Sequence, residues 1–155
     1  MTATAAGNEV LGYWAGDASI IHVQSEGGAL SATIVALMDP TYKSDETVGA
    51  PGEVRRDDNH PKTSLRARLL IGLNLLSSYE HNGKRWEGKI YDPESGNTYS
   101  SRMEVDSSGN LKMRGYIGLP IMGRTAMFEP LRNCTQHMRT MLTRSKQSNP
   151  LCRRQ

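Results

Sequence analysis

No stretch of this 155-residue chain approaches the roughly 18 consecutive apolar residues of a membrane-spanning helix, so the sequence reads as soluble. Phosphate loops, Gly-x-Ser-x-Gly elbows and Cys/His nucleophile arrangements are also missing, which removes the familiar signatures of nucleotide and acyl-transfer enzymes. His22, His60, His81 and His137 are scattered without ligand spacing and offer no metal set. Acids are absent after Glu129, where Arg132, Arg139, Arg144, Lys146, Arg153 and Arg154 follow. Six positive charges in a chain of net +3 leave residues 1–129 at −3. The basic balance therefore belongs to the tail, and a mildly acidic body argues against nucleic acid as a partner.

The first residues, Met1–Ala6, have neither a basic nor an apolar segment, so no intact signal peptide is present. Ala3-Thr4-Ala5 has the small-residue form of a cleavage site, and the segment reads either as the trimmed end of an exported protein or as an ordinary frayed end. Cysteine is limited to Cys134 and Cys152, near the C-terminus. They are either two free thiols in a flexible tail or a bridge that staples only that tail in an oxidising compartment.

What the chain does have is turns. Fifteen Gly and seven Pro suit many short strands joined tightly. Eight strand-like segments follow: Val10–Trp14, Ile20–Gln24, Ala29–Leu37, Leu69–Ser77, Lys84–Tyr91, Thr98–Val105, Leu111–Ile117 and Ile121–Phe128. Asn82-Gly83 is a strong hairpin signal, and Asp92-Pro93-Glu94-Ser95-Gly96 turns the chain with Pro fixing φ early and Gly closing late. Tyr99, Ser101, Met103 and Val105 share one face, Ser100, Arg102 and Glu104 the other. Leu69–Leu76 is apolar on both faces; Gly72 and Asn74 favour strand there over the competing helix. Hairpin-linked strands predict an all-β, single eight-stranded up-and-down antiparallel barrel over residues 8–130. A long loop, Met38–Ser64, follows the third strand, and loops of that length are functional or disordered. Residues 131–155 form a basic tail, with weak helical spacing over Asn133–Lys146, otherwise solvated and partly disordered.

Gly12-Tyr13-Trp14 on the first strand resembles the Gly-x-Trp of lipocalin-type barrels, in which an Arg from the last strand packs across the Trp. Arg124 is the candidate for that structural role. Taken with Asp39-Pro40, the Asp57/Asn59/Pro61 loop, Ser64-Leu65-Arg66-Ala67-Arg68, Leu70-x-Gly72-Leu73, Trp86-x-Gly88-x-Ile90-Tyr91-Asp92-Pro93-x-x-Gly96-x-x-Tyr99 and Arg114-Gly115-Tyr116-Ile117-Gly118-x-Pro120-x-x-Gly123-Arg124, the pattern over residues 10–128 resembles a bacterial family of small, mostly exported proteins of unassigned function. Known members are similar to lipocalins, which implies a calycin-like barrel, export to the periplasm or beyond, and small-molecule binding, but no reaction. Asn59-His60-Pro61, Leu69 and Phe128 depart from the family's usual residues, and the tail has no counterpart in it.

Arg66 and Arg68 point to the same side of an extended segment and could hold an anionic head group by bidentate bonds at a barrel mouth, beside Asn59 on the long loop. The competing reading has them bonding Asp57, Asp58 or loop carbonyls and bracing the loop. Gly88, Gly115 and Gly123 lie in phase with inward apolar residues, where glycine marks either a bend or an emptied interior. An emptied interior would be lined by Trp86, Tyr99, Met103, Met113 and Met127, with Met adapting to varied apolar ligands. The expected function is non-enzymatic: a carrier or sensor of the bacterial envelope for a small apolar or amphipathic ligand, periplasmic or secreted, monomeric or homodimeric, with no cofactor and no metal ligand. The alternative is an interaction module, a filled barrel that contacts a protein or an anionic membrane through its long loop or basic tail. A metal- or haem-dependent enzyme is the weakest third reading.

Overall fold

Tight turns set the strand order. Gly27 and Gly28 both take positive φ, 56° and 84°, the two-residue connection that matches the right-handed twist of a hairpin. It joins β2 (Ser19–Glu26) to β3 (Ala29–Leu37), with Glu26 opposite Ala29. The computed structural model describes residues 7–117 and 123–152. β1 (Gly12–Ala15) precedes this hairpin, and β4 (Leu76–His81), β5 (Trp86–Asp92), β6 (Asn97–Val105), β7 (Leu111–Tyr116) and β8 (Arg124–Pro130) follow it. All ladders are antiparallel, in the order β3-β2-β1-β8-β7-β6-β5-β4. The predicted all-β barrel of eight strands is therefore present. The expected start of the last strand at Ile121 lies outside the described residues.

The barrel is almost closed, and the seam explains the largest displacement from expectation. Leu69–Ser77 is not a strand; the ladder starts at Leu76, and residues 70–75 stitch the two edge strands together. The Ile34 amide donates to the Leu73 carbonyl (3.0 Å), that of Gly72 to Ile34 (2.8 Å), and that of Leu75 to Ala32 (2.9 Å). The Asn74 side chain accepts from the amides of Ala32 and Leu76 and donates to the Leu76 carbonyl. Hydrogen bonds of a ladder are thus replaced by a turn and one side-chain amide, which needs Gly72 at φ 97° rather than extended backbone. Further along β4, Ser78 at φ 55° forms a bulge that lets both Leu76 and Tyr79 face inward, although they stand three residues apart.

Two apolar clusters flank the wall. Val10, Trp14, Ile21, Val23, Leu30, Met103 and Leu111 fill one end of the interior. A 3-10 turn, Asn8–Val10, lies beside them; the Trp14 indole donates to the Val10 carbonyl (2.9 Å), and that of Trp86 to Gly7 (2.9 Å). Outside the wall, Ala15, Ile20 and Ala36 are covered by Leu131, Met138, Met141 and Leu142. The last three sit on α1 (Gln136–Arg144), capped by the Thr135 hydroxyl accepting from the Met138 amide, and their three- and four-residue spacing puts them on one face. A Cys134–Cys152 disulfide ties the two ends of this segment, and the Ser145 hydroxyl accepts from the Leu37 amide and donates to its carbonyl. Of the two readings of the tail, the short helix holds and the solvated, disordered end does not: residues 131–152 are a folded clasp on β2 and β3. Truncating the fully buried Met141 to Ala should lower stability by roughly 2–4 kcal/mol in urea titrations, the range for a buried Met that leaves a cavity.

Candidate functional site: the open barrel end

Opposite the closed end, the interior widens into a cleft of about 1190 Å³. Met113, Ile90, Tyr99, Leu75, Ile34 and Phe128 supply apolar lining, and Ser101, Gly115 and Arg124 lie among them. Among the described residues β1 and β8 are paired at two positions, Trp14 with Pro130 and Ala15 with Glu129. Beyond that short seam the cleft is also lined by Ala18 and Ser19 on one side and Thr125 and Ala126 on the other.

Of the three glycines expected in the inward phase, Gly123 precedes β8, where Arg124 and not Gly123 pairs with Gly115, and the other two have different reasons. A Cβ on Gly88 would lie 2.5 Å from the Tyr79 ring and 2.7 Å from its Cα, so Gly88 exists for the close crossing of bulged β4. A Cβ on Gly115 would meet only Ile90 Cγ2 and Tyr99 Cβ, both at an ordinary 3.8 Å, so Gly115 leaves usable space. At the floor of the cleft the Tyr79 hydroxyl donates to the buried Ser101 Oγ at 2.5 Å. Burial pushes the Tyr79 phenol up to about 12.

The long loop forms the rim, and it is held by a buried carboxylate. Asp57 is fully buried; its Oδ1 accepts from the Tyr91 hydroxyl (2.6 Å) and its Oδ2 from Arg68 Nε (2.9 Å). The Arg68 guanidinium also stands 5.6 Å from the Tyr91 ring centre, while the Asp57 amide donates to the Arg68 carbonyl (2.8 Å). Burial, reinforced by the Asp57 carboxylate, raises the Tyr91 phenol to about 12. A second node surrounds buried Tyr42. Its hydroxyl donates to Asp58 (2.5 Å) and accepts from the Arg56 amide, and both Arg55 and Arg56 lie 5.3 Å from the ring centre. Arg55 forks onto Glu46 at 2.6 and 2.9 Å. Asn59 donates to the carbonyls of Pro93 and Glu94, strapping the loop to the β5–β6 turn, where a Cβ on Gly96 would collide with the Asn59 carbonyl.

These contacts sort the residues expected at a site. Asn59, Tyr99 and Met113 line the cleft. Arg66 and Arg68 do not; Arg66 Nε donates to the His60 carbonyl (2.7 Å) and Arg68 holds Asp57, so the bracing alternative describes them. Met103 is sealed in the closed-end core, Trp86 lies edge-on to His81 at that same end, and Met127 is on the outer face opposite Lys112. Gly12 opens β1 as expected. Arg124 does not cap Trp14: Trp14 pairs with Pro130, six residues along β8, about 20 Å away in extended chain. Arg124 instead stands opposite Gly115 and lines the cleft. The four histidines stay apart, His22 stacked on Tyr13, His60 against Tyr91, His81 against Trp86 and His137 at the Gly16 carbonyl. The Tyr79–Ser101 pair was not anticipated, because the bulge at Ser78 breaks the alternation that would have placed Tyr79 inside.

An antiparallel barrel packed solid at one end and hollow at the other defines a lipocalin-like protein. Residues 12–129 match the family described as "uncharacterized protein conserved in bacteria" (DUF2147), and the chain belongs to that family. Protein HP1028 from Helicobacter pylori, described as belonging to the lipocalin family, is similar in structure, with a TM-score of 0.66 at 21% identity over 90% of each chain. No curated protein matches the chain.

Asp57→Ala would strip the buried partner from Arg68 and Tyr91, and we expect a loss of roughly 3 kcal/mol in chemical denaturation. Tyr79 and Tyr91 have raised folded values, so the stability they confer is complete below pH about 10 and is lost as pH climbs towards 12. Phenolate absorbance should show three late-titrating tyrosines, Tyr42, Tyr79 and Tyr91, one of them abolished by Tyr91→Phe.

Proposed function

We propose that this protein is a non-enzymatic carrier or sensor of the bacterial envelope, taking a small apolar or amphipathic molecule into the open end of its barrel. The cleft carries the reading. Its volume is ample for a small molecule, Ile34, Leu75, Ile90, Met113 and Phe128 supply apolar wall, and polar and charged residues including Arg55, Arg56, Asp58, Asn59 and Arg124 line it as well. The charged rim supports binding over chemistry, since Arg55, Arg56 and Asp58 are tied to Glu46, Glu53 and Tyr42 and serve to hold the loop. The Cys134–Cys152 bridge supports a periplasmic or secreted setting, because disulfides persist in oxidising compartments.

An interaction module acting through the tail is less well supported. Met138, Met141 and Leu142, the apolar face that would enter a membrane surface, are buried on the barrel. Native mass spectrometry of protein purified without detergent tests the proposal. A discrete small-molecule mass, retained natively and lost on denaturation, is expected. A bare mass, together with no binding of decanoate or decanol by calorimetry, would overturn it.

A further inference from the structure

The cleft has one level at which three neighbouring strands carry only glycine or serine. Gly88 on β5 pairs with Ser101 on β6, Ser101 with Gly115 on β7, and Gly115 with Arg124 on β8. Directly paired residues point to the same face, so these four form a belt around the inside of the barrel. Tyr79 fills the space above Gly88, and its hydroxyl reaches Ser101. From Ser101 onward the belt is open across Gly115 until Arg124, two strand spacings or about 10 Å away.

Both ends of that open slot offer donors. Tyr79 and Ser101 carry two hydroxyl protons but share one hydrogen bond, so one proton is left over in a buried, apolar floor. Ser101 borders the cleft from a fully buried position, so turning its hydroxyl toward the slot would present that proton to an acceptor entering there. At the other end, the Arg124 side chain makes no ion pair or hydrogen bond among the described residues. That sets it apart from Arg55, Arg56, Arg66 and Arg68, all of which are bonded to the loop. The acids that line the cleft are engaged or exposed: Asp39 pairs with Lys43 at 3.5 Å, Asp58 holds Tyr42, Asp92 holds the amide of Glu94 and the hydroxyl of Ser95, and Glu94 stands at the exposed tip of its turn.

We infer that the slot between Ser101 and Arg124 is a head-group site for a carboxylate, with the apolar remainder of the ligand lying against Ile90, Tyr99, Met113 and Phe128. A carboxylate presents two acceptor oxygens, one for the guanidinium and one for the hydroxyl, whereas an alcohol can satisfy only one of them well and brings no charge. This inference rests on the carrier reading and adds the ligand's chemical class to it.

Calorimetric titration of the intact chain with decanoate and with decanol separates the two claims. Decanoate should bind about ten-fold more tightly than decanol. Arg124→Gln should abolish that preference without weakening decanol, and Arg124→Lys should retain part of it. Ser101→Ala should weaken decanoate about five-fold, one ordinary hydrogen bond. Gly115→Val should exclude both probes, with the thermal melt of each variant verifying that the barrel is folded. Equal binding of the two probes, or a preference that survives in Arg124→Gln, would overturn the head-group assignment and leave the carrier reading standing. No binding of either probe to the natural chain would overturn the head-group assignment and, together with a bare native mass, the carrier reading as well.

Discussion

The structure depends on one buried carboxylate. Asp57 sits in the middle of a connection that runs from Met38 at the end of β3 to Leu75 before β4, and such a length of irregular chain ordinarily wanders. A fully buried charge is costly unless each oxygen is bonded, and here one oxygen holds Tyr91 on β5 while the other holds Arg68 further along the same loop. The loop is thereby joined to the barrel wall and to itself at a single point. The Tyr42 node and the Asn59 strap extend that attachment along the rim. What could have been a flexible flap is a fixed collar.

A fixed collar changes what the rest of the barrel can do. The closed end is filled by Trp14, Met103, Leu111 and their neighbours and supplies the burial that holds the strands together. The clasp of α1 buries a second apolar layer on the outside, over β2 and β3, the strands adjoining the seam. With stability drawn from those two layers, the level of Ser101 and Gly115 can go without side chains. The barrel is therefore divided along its axis into a packed half and an open half, and the collar sets the width of the opening.

Much of this was legible in the chain. Alternation in Tyr99–Val105 and Leu111–Ile117, together with Gly27-Gly28 and the Asp92–Gly96 turn, placed six of the eight strands within two residues at each end. The boundaries moved where a polar side chain took over from the backbone. Asn82 accepts from the amides of Lys84 and Arg85, so the hairpin loop extends to Arg85 and β5 starts at Trp86. Leu69–Leu76 reads as apolar on both faces because its residues are shared between a turn and a seam, a tertiary arrangement with no periodic signature. Arg66 and Arg68 carried both a binding and a bracing reading, since the guanidinium suits a ligand's carboxylate and Asp57 equally well. Tyr79 and Arg124 show what was hidden: a bulge moved one into the floor, and strand register moved the other from the expected Trp14 to the cleft.

Native-state hydrogen exchange at the amides of Asp57 and Leu70 addresses the fixed collar most directly. The first donates to the Arg68 carbonyl at 2.8 Å and the second to the Arg55 carbonyl at 3.1 Å, both within the loop. If Asp57 anchors a rigid rim, these amides exchange only slowly, with protection approaching that of the central strand β6. Exchange at the rate of free peptide, with β6 still protected, would mean that the loop opens independently and that the account of the mouth is wrong.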